Sequence, residues 1–379
     1  MKKKVLAVLL GGCMVVGMLA GCGGGGDDAK KEEGAKTEAT DEGKEEGKGG
    51  GDYHFEVVVK SFQSSYWQAA VQGIEQAEEE LGVTTNTTGP NAESDIADQV
   101  NMLNNAINQA PDGIALAACD QNSVIESLQT ALDKGIPVVC FDSGVPDAPE
   151  GSVYATVVTN NGAAGAIAAD KIYEAVKDKI ANAKEPVRVG EVNQDATSAN
   201  ISERGMGFIN KFIELAKADG YTVAVVGNDF YVNQVKDNGD QASADIILEV
   251  AVPAQTTVEL CATEASNIMN KDATIAMFGS NQVSAEGVLT ANQNLNKLGT
   301  DEGKIVGAGF DAGSVLKAAV KDGTMLGAVT QSPLMQGKIS IETLAKICDG
   351  ESVEDVTTDG YWYDSTNMED ADIVPNLYD

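Results

Sequence analysis

Histidine is almost absent from this sequence, since His54 is the only one among 379 residues. It lies at the start of the first predicted strand, whereas ligands of open α/β sheets bind beyond the carboxyl ends of the strands. The chain therefore lacks the base of Ser-His or Cys-His catalysis and any histidine metal ligand. We expect no enzymatic activity and no catalytic residue.

Closely spaced cysteines are absent as well. Of the six cysteines, Cys13 and Cys22 lie in an N-terminal targeting region discussed below. The other four are Cys119, Cys140, Cys261 and Cys348. They form no Cys-X-X-Cys pair, so the ligand spacing of a zinc site is missing and we expect no metal. Cys119 and Cys140 lie in or beside apolar runs, which favours small core residues, although an exported chain also permits a disulfide.

No nucleotide-binding motif is complete. The segment from Gly299 to Lys304 is one residue short of a P-loop and lacks its Ser or Thr. The glycines at 307, 309 and 313 are spaced one residue too widely for the dinucleotide-binding fingerprint. The segment Asp237-Asn238-Gly239-Asp240 does not have the spacing of a calcium-binding loop. We therefore expect no cofactor.

Basic residues are scarce, with 26 Lys and Arg against 58 Asp and Glu, which gives a formal net charge of −32. A chain of this charge is repelled by phosphate backbones and by anionic headgroups. The composition argues against nucleic acid as a partner and against a membrane-surface patch.

The N-terminus has the pattern of an export signal. Three lysines at positions 2–4 precede an apolar stretch at 5–19 that is short for a membrane span, and Leu19-Ala20-Gly21-Cys22 follows. This ending resembles the lipobox of bacterial lipoproteins, which implies removal of residues 1–21 and a lipid anchor on Cys22. The alternative is an ordinary secretory signal that happens to contain a cysteine. Residues 22–51 are almost wholly Gly, Lys, Glu, Asp, Ala and Thr, which predicts a flexible lipidated linker.

From residue 52 onward, short apolar runs alternate with amphipathic stretches. The runs are continuous, as in the segments 55–59, 113–118 and 137–141, rather than alternating with polar residues. This pattern predicts α/β units with parallel sheets covered on both faces. A Pro-, Asp- and Gly-rich loop at 144–151 separates two such units, and the chain is longer than one core usually serves, so we expect two lobes. The segment 228–244 is polar and is interpreted as an irregular insertion.

Polar groups follow several of the predicted strands. These are the residues from Lys60 to Trp67, Asp142-Ser143, Asn281, Asp311 and Gln331. Carboxylates and amides beside aromatic rings suit a neutral polyhydroxylated ligand, because they pair with hydroxyls while the rings pack on C–H faces. Each polar residue taken singly is also typical of a helix cap or a turn. Their recurrence in both units favours a binding cleft.

An ordered set of segments resembles a known family between about residues 55 and 367. The segments are Ser64-Ser65-Tyr66-Trp67 with Gly73, the run 137–142, Asn160-Asn161-Gly162, the run 204–208, Asn281, the run 306–311, and the run 330–333 with Gly337. Together they resemble the sugar-binding lipoproteins of ABC importers, which have the type I periplasmic-binding-protein fold of ribose- and galactose-binding proteins.

The resemblance implies two Rossmann-like lobes with parallel sheets, joined by three hinge crossovers near Thr159, Gln331 and Gly360. The implied division is 52–158 plus 332–359 for lobe 1 and 159–331 plus 360–379 for lobe 2. The implied ligand contacts are Ser64, Tyr66, Trp67, Asp142, Ser143, Asn161, Asn200, Ser202, Asn281, Asp311 and Gln331. Arg204 matches an arginine that is structural in the family. Asp142→Ala and Asp311→Ala are expected to weaken binding and to leave the folding of the unliganded protein nearly intact.

The sequence also departs from the family pattern. Two arginines common in pentose and hexose binders are missing, and Ser143, Asn200 and Ser202 stand at or near their positions. The segment Phe141-Asp142-Ser143, with Lys60 at the first strand end, is similar to autoinducer-2 and rhamnose binding proteins. The expected function is that of a lipid-anchored extracytoplasmic monomer that delivers a sugar or sugar-like molecule to an ABC permease with its ATPase. The alternative is a sensor that presents an autoinducer-2-like or other sugar-like molecule to a membrane receptor kinase.

Overall fold

The structure is a computed structural model that describes residues 52–379. The predicted signal peptide (1–21), the anchor at Cys22 and the linker (22–51) lie outside the described residues. Within the described part, no helix is long and apolar enough to cross a membrane.

The first lobe is built on a six-stranded parallel sheet. Its strands are β1 (His54–Val58), β2 (Thr84–Thr88), β3 (Gly113–Leu116), β4 (Val138–Phe141), β5 (Val153–Thr159) and β12 (Val356–Thr358), in the order β12-β5-β4-β3-β1-β2. Its helices are α1 (Ser65–Leu81), α2 (Ile96–Asn108), α3 (Ile125–Asp133) and α10 (Pro333–Cys348). Strands β1, β3 and β4 are buried over nearly their whole length, as their continuous apolar runs predict.

The second lobe is built on a seven-stranded sheet. Its strands are β6 (Val187–Val192), β7 (Val223–Gly227), β8 (Ile246–Ala251), β9 (Thr274–Gly279), β10 (Val306–Phe310), β11 (Gly327–Thr330) and β13 (Tyr361–Tyr363), in the order β13-β11-β10-β9-β6-β8-β7. The pairs are parallel except β13 with β11. Its helices are α4 (Asn161–Ala181), α5 (Ala199–Ala218), α6 (Asp229–Gln234), α7 (Val258–Met269), α8 (Gln282–Leu295) and α9 (Ser314–Lys321), and a short 3-10 helix (Val374–Asn376) lies near the C-terminus.

The chain passes between the two sheets three times. It leaves the first sheet after β5, returns after β11 through the start of α10, and crosses again between β12 and β13. These crossovers coincide with the predicted positions near Thr159, Gln331 and Gly360. The α/β fold with two lobes and three crossovers is confirmed.

Close helix pairs hold each lobe together through glycine. In the first lobe, Gly73 of α1 lies against the backbone of Leu334 in α10, and Gly337 of α10 lies against Ala70 of α1. A methyl group at either glycine would overlap the facing backbone, so the two helices approach closely only because both positions lack a side chain. This packing ties α10, which is distant in sequence, to the helix that begins at the cleft.

The sequence-based description of the secondary structure was incomplete in two places. The segment 228–244 is not wholly irregular, because it contains α6, whose Tyr231 is fully buried and donates a hydrogen bond to the carbonyl of Asp195 at 3.0 Å. Strands β12 and β13 were not predicted. Each has three residues, too few to show a periodicity, and each is fixed by pairing with a distant strand.

Candidate functional site

A small cavity lies where the carboxyl ends of the strands in both sheets meet. Eight of the eleven predicted contact residues line it: Ser64, Tyr66, Trp67, Asp142, Asn200, Asn281, Asp311 and Gln331. The structure therefore brings these side chains together from both lobes. Their role as ligand contacts stays a prediction.

Two aspartates occupy equivalent positions in the two lobes. Asp142 follows β4 and Asp311 follows β10, and both have a positive φ, 59° and 74° respectively. In each case the backbone N–H donates to the neighbouring strand, to the carbonyl of Val157 from Asp142 and to that of Val329 from Asp311. Asp tolerates this left-handed conformation better than most residues, and the sharp turn at the strand end directs each carboxylate into the cavity.

A dense set of hydrogen bonds surrounds Asp142. Tyr66 Oη donates to Oδ1 at 2.7 Å, Asn200 Nδ2 donates to Oδ2 at 3.0 Å, and Lys60 Nζ lies 3.0 Å from Oδ2. Lys60 Nζ also donates to Asn200 Oδ1 at 3.0 Å, which links the first lobe to α5 of the second. Burial lowers the pKa of Lys60, but Asp142 and two other carboxylates outweigh it and raise the pKa, so this buried lysine is charged.

The partners of Asp311 are neutral. Gln331 Nε2 donates to Oδ1 at 2.7 Å, and the backbone N–H of Gln282 at the start of α8 donates to Oδ2 at 2.9 Å. Burial raises the pKa of Asp311, an effect opposed by Arg204 and by these hydrogen bonds. A carboxylate that accepts from a helix N-terminus is favourably placed relative to the helix dipole.

A chain of hydrogen bonds connects the two aspartates through the hinge. Thr159 Oγ1 donates to Gln331 Oε1 at 2.6 Å, Gln336 Nε2 donates to Thr159 Oγ1 at 2.8 Å, and Tyr66 Oη also lies 3.2 Å from Gln336 Oε1. Thr159, Gln331 and Gln336 belong to the first two crossovers. The hinge and the cavity therefore share one polar network.

Glu93 is a cavity residue that the sequence reasoning missed. It lies in the loop between β2 and α2, accepts from Trp67 Nε1 at 2.9 Å and accepts from Gln194 Nε2 at 2.7 Å. Gln194 Oε1 in turn accepts from Asn281 Nδ2. Gln194 follows β6 and Glu93 follows β2, so the rule that polar residues after strands line the cleft applies to both. The sequence does not point to Glu93, because β2 consists of polar residues and lacks the apolar run that marks a buried strand.

Arg204 holds the wall of the cavity together. Its side chain is fully buried, its Nη2 donates to Asn161 Oδ1 at 2.8 Å, and its Nη1 donates to the carbonyl of Ser280 at 2.8 Å. The guanidinium carbon lies 3.6 Å from the centre of the Phe310 ring. These contacts agree with the structural role expected for Arg204.

Three predicted contact residues do not line the cavity. The amide of Asn161 is engaged by Arg204 and by the carbonyl of Thr159. Ser143 is fully buried and does not line the cavity, because the left-handed turn at Asp142 directs the two neighbouring side chains differently. Ser202 is also buried away from the cavity, with its hydroxyl group unpaired among the described residues. These three residues lie outside the central cavity, although Asn161 lines an adjoining one, and their role as ligand contacts stays a prediction.

Two larger cavities adjoin the central one. One shares Asp142 and Asn200 with it, and the other shares Ser64, Glu93 and Gln282. The described residues contain no group of His, Cys, Asp and Glu arranged to hold a metal ion. The four cysteines of this part of the chain are free thiols.

Two α/β lobes that direct their strand ends to a shared polar cavity, with three hinge crossovers, define a two-lobed ligand-binding protein. A family model described as a periplasmic binding protein domain matches residues 55–352, and the chain belongs to this family. Membership implies an extracytoplasmic location.

Individual relatives agree with this assignment. A solved structure described as an ABC transporter, LacI family transcriptional regulator from Brachyspira murdochii is 33% identical, with a TM-score of 0.70 over 86% of this chain and 99% of that one. An ABC transporter solute binding protein from Agrobacterium vitis with bound D-fucose is 25% identical, with a TM-score of 0.71 over 86% of this chain and all of that one. The D-allose-binding periplasmic protein of Escherichia coli (strain K12) is 28% identical over 124 residues, which span 32% of this chain and 40% of that relative.

Proposed function

We propose that this protein is the extracytoplasmic solute-binding lipoprotein of an ABC importer and that it binds a sugar or sugar-like polar molecule in the central cavity. The observation that carries this proposal is the pair of aspartates, Asp142 and Asp311, directed into one cavity from equivalent strand ends of the two lobes. Carboxylate and amide groups from both lobes, beside the rings of Tyr66 and Trp67, suit a ligand that carries hydroxyl groups on all sides. The relatives that bind D-fucose and D-allose support the same ligand class.

The remaining parts of the proposal concern delivery. Residues 1–21 direct export, Cys22 carries the lipid, and residues 22–51 tether the lobes to the membrane. The lobes comprise 52–158 plus 332–359 and 159–331 plus 360–379, and strand membership in the two sheets supports this division. The protein acts as a monomer, binds no nucleic acid, and its partner is an ABC permease with its ATPase.

Lys60 supports a second candidate function. Its ammonium group lies in the cavity beside Asp142, the feature shared with autoinducer-2 and rhamnose binding proteins. In this alternative the protein presents a sugar-like signal molecule to a membrane receptor kinase. Loss of uptake of the ligand on deletion of a partner permease supports import, whereas unchanged uptake with loss of a transcriptional response supports sensing.

The test of binding uses fluorescence and thermal unfolding. The chain has two tryptophans, and only Trp67 lines the cavity, so Trp362→Phe leaves a single reporter there. A panel of pentoses, hexoses, polyols, amino sugars and autoinducer-2 is titrated against this variant. A ligand at 100 times its Kd is expected to stabilise the protein by about 2.7 kcal/mol. If no member of the panel changes either signal, the proposed function is wrong.

A further inference from the structure

The central cavity is lined by more anionic than cationic side chains. Three carboxylates, on Glu93, Asp142 and Asp311, face two cationic side chains, on Lys60 and Arg204. The ammonium group of Lys60 lies 3.0 Å from Asp142 and is committed to it. The donors of Arg204 are directed to protein acceptors in the cavity wall, and its charge acts on Asp311.

Of the two cavity carboxylates without an adjacent cation, Glu93 and Asp311, only Glu93 also lines an adjoining cavity. Its two hydrogen-bond donors are the neutral indole of Trp67 and the neutral amide of Gln194. Among residues 52–379, no Lys or Arg lies within salt-bridge distance of it. Burial raises the pKa of Glu93, and Lys60 together with the hydrogen bonds from Trp67 and Gln194 offsets this only in part, so the ionised form is incompletely compensated within the protein.

The two adjoining cavities have the same sign of charge. The cavity that shares Glu93 also presents Glu259 and Glu286, and the cavity that shares Asp142 also presents Glu203 and Asp355. Neither wall includes a Lys or Arg from the described part of the chain. Clefts lined by one sign of charge attract ions of the opposite sign and raise their local concentration. An anionic ligand such as a uronate or a sugar phosphate is disfavoured by this excess of negative charge.

Resting on the proposed function, we propose that the ligand is a cationic sugar-like molecule, an amino sugar or amino polyol, whose protonated amine binds Glu93. The hydroxyl groups of such a ligand pair with the aspartates and amides of the two lobes. Its ammonium group donates to the Glu93 carboxylate, which has no Lys or Arg at salt-bridge distance among the described residues. A charge-assisted hydrogen bond of this kind is about twice as strong as a neutral one.

The experiment compares matched pairs of probes that differ in one group. D-glucosamine is set against D-glucose, D-galactosamine against D-galactose and D-mannosamine against D-mannose, with N-acetylglucosamine and glucuronate as neutral and anionic controls. Affinities for the full chain are measured by calorimetry and by thermal shift at pH 7 and low salt. We expect at least one amine to bind about 10-fold or more tighter than its neutral counterpart, because hydrogen bonds to charged groups are the stronger kind.

Glu93→Gln tests the assigned residue. This variant keeps the shape and an acceptor for Trp67 but removes the charge and the acceptor for Gln194, so we expect the amine to lose about 10-fold more affinity than its neutral counterpart does. Glu75→Gln is the matched control, because Glu75 is an exposed carboxylate of α1 away from the cavity. Binding of the neutral members alone, or an equal effect of Glu93→Gln on both members, overturns the inference and leaves the proposed function standing. Failure of every sugar to bind overturns both.

Discussion

The buried ion pair between Lys60 and Asp142 allows a quantitative prediction for the unliganded protein. The side chains are 1% and 5% exposed, and Nζ lies 3.0 Å from Oδ2. Asp142→Asn removes the charge and keeps a residue type suited to the positive φ of 59°, so backbone strain does not enter the comparison. The variant leaves the Lys60 ammonium buried without its counter-ion.

Breaking a buried pair by removing one partner costs about 3–5 kcal/mol, whereas replacing both partners with neutral groups is often close to neutral. We therefore expect Asp142→Asn to lower the free energy of unfolding by about 3 kcal/mol or more. The double variant Lys60→Met/Asp142→Asn is expected to lie within about 1.5 kcal/mol of the wild type, because neither charge remains buried alone. This revises the sequence-based expectation that substitution of Asp142 leaves folding nearly intact.

The assay is urea-induced unfolding followed by circular dichroism at pH 7 without ligand, for the wild type, both single variants and the double variant. Asp311→Asn is the matched control, since Asp311 has the same backbone conformation and no Lys or Arg at salt-bridge distance among the described residues. We expect its cost to be clearly smaller. A loss below about 1 kcal/mol for Asp142→Asn, or a double variant whose loss equals the sum of the single losses, would refute the reasoning.

Three further predictions concern the second lobe. Glu191 is fully buried with both oxygens unpaired among the described residues, and burial raises its pKa well above the ordinary value. Glu191 should therefore make wild-type stability fall as pH rises from about 4.3 towards its folded-state pKa, by about 1.4 kcal/mol per pH unit. Urea unfolding of Glu191→Gln from pH 4 to 7 should show a smaller decline than the wild type, since Glu93 and Asp311 still titrate; an equal decline would contradict this. In α4, Gly165→Ala places a methyl group on the backbone of Arg204 and should lower the free energy of unfolding by about 1–3 kcal/mol. Gly162→Ala meets open space and should not destabilise the protein, so equal melting temperatures of the two variants would contradict this prediction. Arg204→Lys loses the planar guanidinium group that makes three hydrogen bonds, and urea unfolding should show a free energy of unfolding lower by about 3 kcal/mol. A decrease below about 1 kcal/mol would contradict this prediction.

Much of the architecture was predictable from local pattern. Continuous apolar runs such as Val138–Phe141 gave the buried parallel strands, and polar residues directly after them, such as Asp142 and Asp311, gave the cavity. The prediction worked because strand direction alone decides which sheet edge a residue reaches. It does not distinguish neighbouring residues, because Asp142 lines the cavity whereas the adjacent Ser143 does not.

The contacts between residues of the site could not be predicted from local sequence patterns. Glu93 and Gln194 meet only because the two lobes face each other, so their 2.7 Å contact depends on residues 101 positions apart. The pairing of Lys60 with Asp142 similarly depends on the register of β1, β3 and β4 within one sheet.

The sequence by itself determined the α/β class, the two lobes and the strand ends that carry polar groups, because these follow from periodicity and from the lengths of apolar runs. Only the tertiary structure determined which charged side chains lie next to each other. Whether a buried carboxylate has a cation beside it depends on distances between elements remote in the chain, and electrostatic interactions in a buried site change steeply over a few ångströms. For that reason the sequence predicted a neutral polyhydroxylated ligand, and only the three-dimensional arrangement of Glu93, Lys60 and Arg204 supports a cationic one.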